Sequence, residues 1–308
     1  MERPHGAAVA ADGFGLKGPR GWAFRAVVVD AAPGSLVAIE GPSGSGRTCL
    51  LLALTGRMRP SAGRAEVGGL ELPRRMAAVR RISALGPVPG VSDLDPALTV
   101  AEHLRERTLL QRRFDGSLRA LLRPRGERAA EARGRIDGAL EAAGLDLATL
   151  PKQERTAVRD LERLEELRLS VALALIGRPR LLAVDDTDLK LSDADRAEAW
   201  ALLRAIADSG TTVLAVCSQA PQDATVVRTG PAPAGDPADA AGPSAEKPSA
   251  TPGTTRTAAA DGSDGSDGSN EATVAADRRE HARRRCVATR LRRVPGQYHV
   301  RPRLTRQR

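Results

Sequence analysis

Lysine is nearly absent from this 308-residue chain, which has only four lysines among 47 basic residues. The remaining basic residues are arginines, so a single arginine is weak evidence of function here. Aromatic residues make up only 2% of the sequence, and a hydrophobic core must therefore be built from leucine, valine, isoleucine and alanine. At this length, one or two domains are expected.

Cysteine and long apolar segments are also scarce. Cys49, Cys217 and Cys286 have no paired spacing, which argues against a disulfide framework and against a cysteine-based metal site. No apolar run approaches about 20 residues, so no membrane-spanning helix is expected. The segment Met1–His5 lacks the pattern of a signal peptide, and a cytoplasmic location is therefore the expectation.

The positive charge is concentrated in the last part of the sequence. The formal net charge is +9, but residues 278–308 contain 12 arginines and one acidic residue, Glu280, and so carry +11. The other residues therefore carry −2, the difference between these two values. Arginine-rich segments can bind nucleic acid or anionic lipid. Since only Tyr298 could stack on a base, nucleic acid is not an expected partner, and a solvated tail without function is the favoured interpretation.

Composition divides the chain into three parts. Residues 1–228 alternate short apolar runs with amphipathic segments, which predicts a folded domain. Residues 229–272 consist mainly of Pro, Ala, Gly, Ser, Thr and Asp. Such a segment buries too little apolar surface to offset its ordering entropy, so we predict a disordered linker. Residues 273–308 form the arginine-rich tail.

Within the first part, segments typical of strands and helices alternate. Strands are predicted at 36–39, 64–67, 70–72, 82–85, 181–184 and 212–216, and helices at 49–56, 99–113, 127–143, 154–176 and 194–208. The two strands around Gly68 and Gly69 form a predicted hairpin. This order predicts an α/β fold with a mostly parallel sheet, a β-rich N-terminal part and a mostly helical insert at about 95–175.

The octapeptide Gly41–Thr48 has the spacing of the phosphate-binding loop G-x-x-x-x-G-K-[ST], with Arg47 in place of the lysine. Its glycines allow backbone N–H groups to surround a phosphate, and the Thr48 hydroxyl suits Mg²⁺. A strand before the loop and a helix after it favour anion binding. The alternative is an ordinary Gly/Ser-rich turn. The candidate nucleotide ligands are Gly41, Pro42, Ser43, Gly44, Ser45, Gly46, Arg47 and Thr48.

Paired carboxylates follow the predicted strand at 181–184. Ligands of α/β sheets bind at the carboxyl ends of strands, so Asp185 is predicted to hold Mg²⁺ together with Thr48. Asp186 is predicted to orient or deprotonate an attacking water. A capped strand end is the alternative for this pair alone, but the presence of the phosphate-binding loop favours the metal site.

These motifs together resemble the nucleotide-binding domain of ATP-binding cassette (ABC) transporters, from about residue 15 to residue 222. The matching segments are Pro33–Thr48, Leu51–Gly56, Arg59–Gly63, Leu98–Leu104, Ala172–Asp186 and Gly210–Val216. The resemblance implies a P-loop NTPase fold of the ABC ATPase type, with ATP and Mg²⁺ as ligands. It also implies a membrane permease subunit as partner, which would hold the chain at the inner face of the cell membrane. A second, intact ABC ATPase subunit is a further candidate partner.

Several positions depart from the family pattern. The signature loop of the family falls on residues 161–165, where Glu162 replaces a serine. Leu164 replaces a glycine and is expected to place a side chain where backbone should approach the opposite subunit. A carboxylate at position 162 would repel the phosphates of a nucleotide on an opposite subunit. A symmetric sandwich of two ATP molecules between two copies is therefore disfavoured.

Further departures concern hydrolysis and coupling. Gly86 or Pro87 occupies the place of the Q-loop glutamine, and Ser218 occupies that of the switch histidine. Asp186 stands for the catalytic glutamate and is one methylene shorter, so its reach to a water is reduced. Arg47 keeps the charge of the lysine but is bulkier and planar. Binding of Mg-ATP with weak or absent hydrolysis is the resulting expectation, and whether the chain is an enzyme stays open.

Two alternatives remain at this point. The adenine ring could stack on Trp22, which we favour, or on Phe14, and core packing competes with both interpretations. For the whole chain, the main hypothesis is an ATP-binding subunit of an ABC-type transporter. The alternatives are a non-catalytic scaffold or regulatory pseudo-ATPase, and a binder of anionic polymers or membranes through the arginine-rich tail.

Overall fold

The computed structural model describes residues 5–19, 21–114, 124–188 and 190–230. These residues belong to the first of two compact units, Met1–Pro243. Apart from residues 229 and 230, the predicted linker at 229–272 and the arginine-rich tail at 273–308 lie outside the described residues.

Strands and helices alternate along most of the described chain. The strands are β1 (Val9–Gly18), β2 (Gly21–Ala31), β3 (Leu36–Glu40), β4 (Ala62–Val67), β5 (Leu70–Leu72), β6 (Ser83–Leu85), β7 (Leu181–Val184), β8 (Thr212–Cys217) and β9 (Thr225–Arg228). The helices are α1 (Arg47–Leu54), α2 (Met76–Ile82), α3 (Val100–Phe114), α4 (Arg125–Ala142), α5 (Arg163–Leu175) and α6 (Asp193–Asp208). Short 3-10 turns occupy Leu147–Thr149, Gln153–Arg155 and Val158–Asp160.

The strands form two sheets. One is antiparallel with the order β2-β1-β4-β5, and the other is parallel with the order β6-β7-β8-β3-β9. The α/β class, the parallel core sheet and the β-rich N-terminal part that the sequence predicts are therefore confirmed. In the parallel sheet, the carboxyl ends of β3, β7 and β8 lie at one edge, which is where the phosphate-binding loop and Asp185 emerge.

The parallel sheet is buried on both faces, because successive residues of a strand point to opposite sides. In β3, Leu36 and Ala38 pack with helices α3 to α6, whereas Val37 and Ile39 pack with α1 and the antiparallel sheet. Leucine, valine, isoleucine and alanine supply most of both clusters, as the low aromatic content required. Among the described helices, none combines the length and the apolar composition needed to cross a membrane.

The predicted helix at 154–176 is wrong in its first half. Residues 153–160 form two 3-10 turns, and the helix begins only at Arg163. The cause is tertiary: the amide of Val100 donates to the Thr156 carbonyl at 3.0 Å, and that of Val158 donates to the Leu98 carbonyl at 2.9 Å. These backbone groups are bonded to a neighbouring segment and are not free to form a helix. Helix α2 and strands β1, β2 and β9 were not individually predicted from the sequence.

Candidate functional site

The phosphate-binding loop leaves β3 at Glu40 and enters α1 at Arg47, with Pro42, Ser43 and Gly44 exposed. Gly44 and Gly46 both have φ of +81°, a left-handed conformation that glycine adopts without a steric cost. A Cβ atom at Gly46 would lie 2.0 Å from the carbonyl oxygen of Ala23. The loop can therefore curve into the helix N-terminus only with glycine at this position.

The base of the loop is fixed by a residue that sequence reasoning missed. The hydroxyls of Ser45 and Thr229 lie 2.7 Å apart, and both side chains are buried. The amide of Thr229 donates to the Glu40 carbonyl at 2.9 Å. A Cβ atom at Gly41 would lie 2.4 Å from the Thr229 hydroxyl. Strand β9 therefore brings Thr229 against both ends of the turn, and no motif in the sequence indicated this contact.

Thr48 and Asp185 are brought together as predicted. The Thr48 hydroxyl donates to Asp185 Oδ2 at 2.7 Å, and the backbone amide of Asp186 donates to Asp185 Oδ1 at 2.9 Å. Asp185 is only 2% exposed. Burial raises the pKa of its carboxyl, and the hydrogen bond from Thr48 partly opposes this rise. The pair offers one hydroxyl and one carboxylate, and oxygen ligands of this kind suit Mg²⁺.

The side chain of Arg47 contacts the end of β8. Its Nη1 donates to the carbonyl oxygen of Cys217 at 2.6 Å, and the side chain is partly buried. Cys217 is the last residue of β8, and β8 lies beside β3 in the sheet. The guanidinium therefore links the first turn of α1 to the carboxyl end of the neighbouring strand. The sequence indicated the charge at this position but not this contact.

Asp186 and Ser218 lie at the same edge of the sheet. Asp186 follows Asp185 directly, is half-buried and has φ of +49°. Ser218 follows β8, is exposed, and its backbone amide donates to Asp188 Oδ2 at 2.6 Å. Asp188 was not singled out in the sequence. The catalytic parts assigned to Asp186 and Ser218 remain predictions.

The thiol of Cys217 is buried near the carboxylates of Asp188 and Glu40. Burial, together with the negative charges of Asp188 and Glu40, raises the pKa of Cys217 to about 12, and Arg47 acts in the opposite direction. Glu40 also pairs with Arg228, at 3.2 Å between its Oε2 and the Arg228 Nε. Arg47 thus extends into a neighbourhood of carboxylates, where a cation is favourable.

Of the two aromatic candidates, Phe14 is wrong as an adenine contact. It is fully buried and packs against Phe24 with ring centroids 5.8 Å apart. Trp22 is half-buried, and the Arg25 guanidinium lies 5.3 Å from its ring centroid. The residue after Trp22, Ala23, is the one whose carbonyl packs on Gly46. Trp22 therefore directly precedes, in the sequence, a residue that contacts the loop. Its stacking on adenine remains a prediction.

The segment at 161–165 forms the start of α5. Glu162 is exposed at the N-cap position, and its amide donates to Glu165 Oε2 at 2.9 Å. Leu164 is only 8% exposed and belongs to the hydrophobic core. The expectation that the Leu164 side chain obstructs this surface is therefore wrong, because the side chain points into its own domain. The expectation that rests on the carboxylate of Glu162, at the N-terminus of α5, is unaffected.

The place assigned to the Q-loop lies directly beside Asp185. The amide of Gly86 donates to the Ala183 carbonyl at 2.8 Å, and the amide of Asp185 donates to the Pro87 carbonyl at 2.9 Å. The chain after β6 thus continues along β7 and holds the backbone of Asp185, the candidate metal ligand. In this position Pro87 contributes through its carbonyl, which proline retains.

Comparison with known proteins agrees with this geometry. The family model described as ABC transporter matches residues 24–188, more than half of the chain. The chain belongs to the ABC transporter family. Among curated ABC relatives, the Nod factor export ATP-binding protein I of Cupriavidus metallidurans is 31% identical over 186 residues, 60% of this chain and 54% of the relative. The daunorubicin resistance ATP-binding protein DrrA3 of Streptomyces coeruleorubidus is 35% identical over 184 residues, 59% of this chain and 51% of the relative.

The chain spans about half the length of these curated ABC relatives. Solved ABC structures match the fold more completely. A dimeric bacterial ABC transporter cassette covers 73% of this chain and 97% of its own, with a TM-score of 0.56 and 20% identity. A dimeric cassette in a post-hydrolysis state bound to ADP and phosphate covers 68% of this chain and 88% of its own, with a TM-score of 0.53 and 21% identity. At this identity the likeness shows the fold alone.

Proposed function

We propose that this chain is the ATP-binding subunit of an ABC-type transporter, and that it binds Mg-ATP with weak or absent hydrolysis. The observation that carries the proposal is the 2.7 Å hydrogen bond between Thr48 and Asp185. It joins the phosphate-binding loop to the strand-end carboxylate, so the two side chains suited to Mg²⁺ lie side by side at the N-terminus of α1. Bound Mg²⁺ would neutralise phosphate charge there.

The loop itself fits a phosphate. Its exposed turn, at Pro42, Ser43 and Gly44, leaves backbone groups accessible, and the N-terminus of α1 adds a positive dipole end. The side chain of Arg47 supplies positive charge close by. Trp22, one residue from the contact with Gly46, supports the part of the proposal that concerns adenine.

Weak hydrolysis is supported by residues at three other places in the chain. The side chain of Asp186 is one methylene shorter than the glutamate of the family, which reduces its reach to a water. Ser218 supplies a hydroxyl in place of an imidazole. The N-terminus of α5 carries Glu162, Glu165 and Glu166. These carboxylates suit the dipole of their own helix. Arg163 pairs with Glu166 at 2.9 Å, which leaves Glu162 and Glu165 as the carboxylates that would repel phosphates presented by another subunit. An intact ATPase subunit could supply a neutral signature loop to the phosphate-binding loop of this chain.

The proposed partner is a membrane permease subunit, with the chain at the cytoplasmic face of the membrane. The names of the relatives concern Nod factor export and daunorubicin resistance, which supports a role in export. A second candidate function is a non-catalytic scaffold or regulatory pseudo-ATPase. It is favoured by the bond between Arg47 and Cys217, because a guanidinium held in this way occupies space near the loop.

Calorimetry on the full chain tests ATP binding. We expect saturable binding of Mg-ATP at submillimolar concentration, and a loss of about tenfold in affinity for Thr48→Ala, since the hydroxyl is one of few metal ligands. Thr48→Ser keeps the hydroxyl and is the matched control, with affinity close to that of the wild type. Absence of saturable binding up to millimolar Mg-ATP would eliminate the proposal and leave the scaffold function.

Phosphate release tests hydrolysis. We expect Asp186→Glu to raise turnover of the full chain by no more than about tenfold, because Ser218 and Glu162 still differ from what the reaction needs and misplaced groups cost ~100-fold each. Asp186→Asn is the control for the carboxylate, with turnover at or below that of the wild type. Recovery of rapid turnover, of the order of 10 per second, by Asp186→Glu alone would contradict this expectation.

A further inference from the structure

The turn of the phosphate-binding loop is closed by Ser45. Its amide donates to the Pro42 carbonyl at 3.2 Å, and its hydroxyl lies 2.7 Å from that of Thr229. Only 1% of Ser45 is exposed, so its side chain is directed into the domain and not towards a ligand in the loop. A group that fixes the Ser45 side chain therefore also fixes the backbone of the exposed turn at residues 42–44.

Thr229 connects the Ser45 hydroxyl to the last residue of β3. Thr229 Oγ1 donates to the Glu40 carbonyl at 3.4 Å, and the Thr229 amide donates to the same carbonyl at 2.9 Å. Each hydroxyl has one proton, so both protons are used when Ser45 donates to Thr229 and Thr229 donates to Glu40. In this arrangement Thr229 is the acceptor for a buried hydroxyl of the loop, and a buried donor without an acceptor would be costly.

The loop is held at both of its ends by strands that lie outside it. At its start, a Cβ atom at Gly41 would lie 2.4 Å from the Thr229 hydroxyl, and at its end a Cβ atom at Gly46 would lie 2.0 Å from the Ala23 carbonyl. Ala23 belongs to β2, and Thr229 directly follows β9. The contact with β2 is one of close packing, whereas the contact with Thr229 adds a side-chain hydrogen bond. Residue 229 lies outside residues 24–188, which the family model matches.

We propose that Thr229 is a positioning residue for the phosphate-binding loop: its hydroxyl holds Ser45, and thereby holds the backbone amides of the loop in the arrangement that a nucleotide phosphate requires. This inference rests on the proposed binding of Mg-ATP. Backbone donors bind a phosphate at a helix N-terminus, and a loop that is already ordered avoids the entropic cost of ordering on binding. Strand β9 is therefore part of the nucleotide site, although it supplies no ligand to the phosphates.

Two measurements on the full chain test this inference, namely amide hydrogen exchange at Ser45 without nucleotide and calorimetry with Mg-ATP. Thr229→Val keeps the shape of the side chain but removes the acceptor of the Ser45 hydroxyl. We expect exchange at Ser45 to become roughly fivefold faster and the affinity for Mg-ATP to fall roughly fivefold, the factor that corresponds to about one hydrogen bond. Thr229→Ser keeps the hydroxyl, and both values should stay close to those of the wild type.

Ser45→Ala removes the same hydrogen bond from the side of the loop. It should lower the affinity for Mg-ATP to a similar extent. Thr229→Val combined with Ser45→Ala should cause little further loss, because the effects of two residues that share one contact do not add. Losses that add in the double variant would show that the two side chains act independently, and would overturn the inference.

Thr212→Val is the matched control. The Thr212 hydroxyl is also buried, donates to the Ala7 carbonyl at 2.7 Å and accepts from the Gly34 amide at 3.0 Å, at the amino end of β8. Its loss should lower the stability of the domain without changing exchange at Ser45 or the affinity for Mg-ATP.

Three results would each overturn the inference: equal acceleration at Ser45 in Thr212→Val, unchanged exchange in Thr229→Val, and faster exchange in Thr229→Val with unchanged affinity for Mg-ATP. The last of these would show a contact that stabilises the loop without serving binding. If the wild type bound no Mg-ATP, the proposed function would fall, and the exchange result would still decide whether Thr229 holds the loop.

Discussion

Exchanging Gly46 for alanine is expected to lower the free energy of unfolding by more than about 3 kcal/mol and to abolish Mg-ATP binding. The added methyl would meet the Ala23 carbonyl at 2.0 Å, and φ of +81° is strained for any side chain. Because the clashing group is a backbone carbonyl within β2, the clash cannot be relieved by rotating a side chain. Urea unfolding gives the stability, and calorimetry gives the binding.

Gly44→Ala is a matched control for this prediction. Gly44 has the same φ of +81°, but a Cβ atom there would meet nothing within 4 Å. Its alanine variant should lose only about 1–2 kcal/mol, the cost of the left-handed conformation itself. If both variants lost the same stability, the contact between the loop and β2 would not be the cause.

Exchanging Asp185 for asparagine is expected to weaken binding of Mg-ATP by about 100-fold. The carboxylate is the charged member of the pair with Thr48. Removal of a carboxylate ligand, or of a group that orients one, lowers metal affinity by up to about 100-fold. Binding of ATP in the presence of EDTA should change little, because the loop amides and Arg47 are untouched. Calorimetry with and without Mg²⁺ measures both. An equal loss under the two conditions would show that Asp185 supports the loop and not the metal.

The same variant should stabilise the chain without nucleotide at neutral pH, by up to about 1 kcal/mol. Burial raises the pKa of Asp185 in the folded chain, so the unfolded chain releases this proton first as the pH rises. Ionisation of the carboxyl therefore favours unfolding, and its contribution to stability is present at low pH and is lost as the pH rises through the folded pKa. The advantage of Asp185→Asn should disappear in acid, and a constant advantage down to about pH 3 would refute this account.

The parts of the fold that the sequence predicted are those with a local cause. The apolar runs of β3, β7 and β8 lie in the interior of the parallel sheet, and such strands are recognisable because both faces are buried. The hairpin of β4 and β5 follows from Gly68 and Gly69. The pairing of Thr48 with Asp185 could be anticipated because strand ends meet at one edge of a parallel sheet.

The parts that could not be predicted depend on distant partners. Strand β9 is mostly exposed and carries little apolar pattern, so only its pairing with β3 makes it a strand. Thr229 has no role until that pairing places it on Ser45. Phe14 could not be separated from Trp22 as an adenine contact, because burial in the core depends on the partner Phe24. The contact of Arg47 with Cys217 depends likewise on the order of strands in the sheet.

The position of Thr229 has a consequence for synthesis of the chain on the ribosome. The phosphate-binding loop begins at residue 41, yet its base is closed by a residue made nearly 190 positions later. Within the described part of the chain, the pairing partners of β3 are β8 and β9. Formation of such contacts between distant segments is slow, and an incomplete chain lacks the partners altogether. A nascent chain that ends before β8 therefore has the octapeptide but no formed site. Under the proposed binding of ATP, nucleotide can assist folding only after translation has passed residue 229.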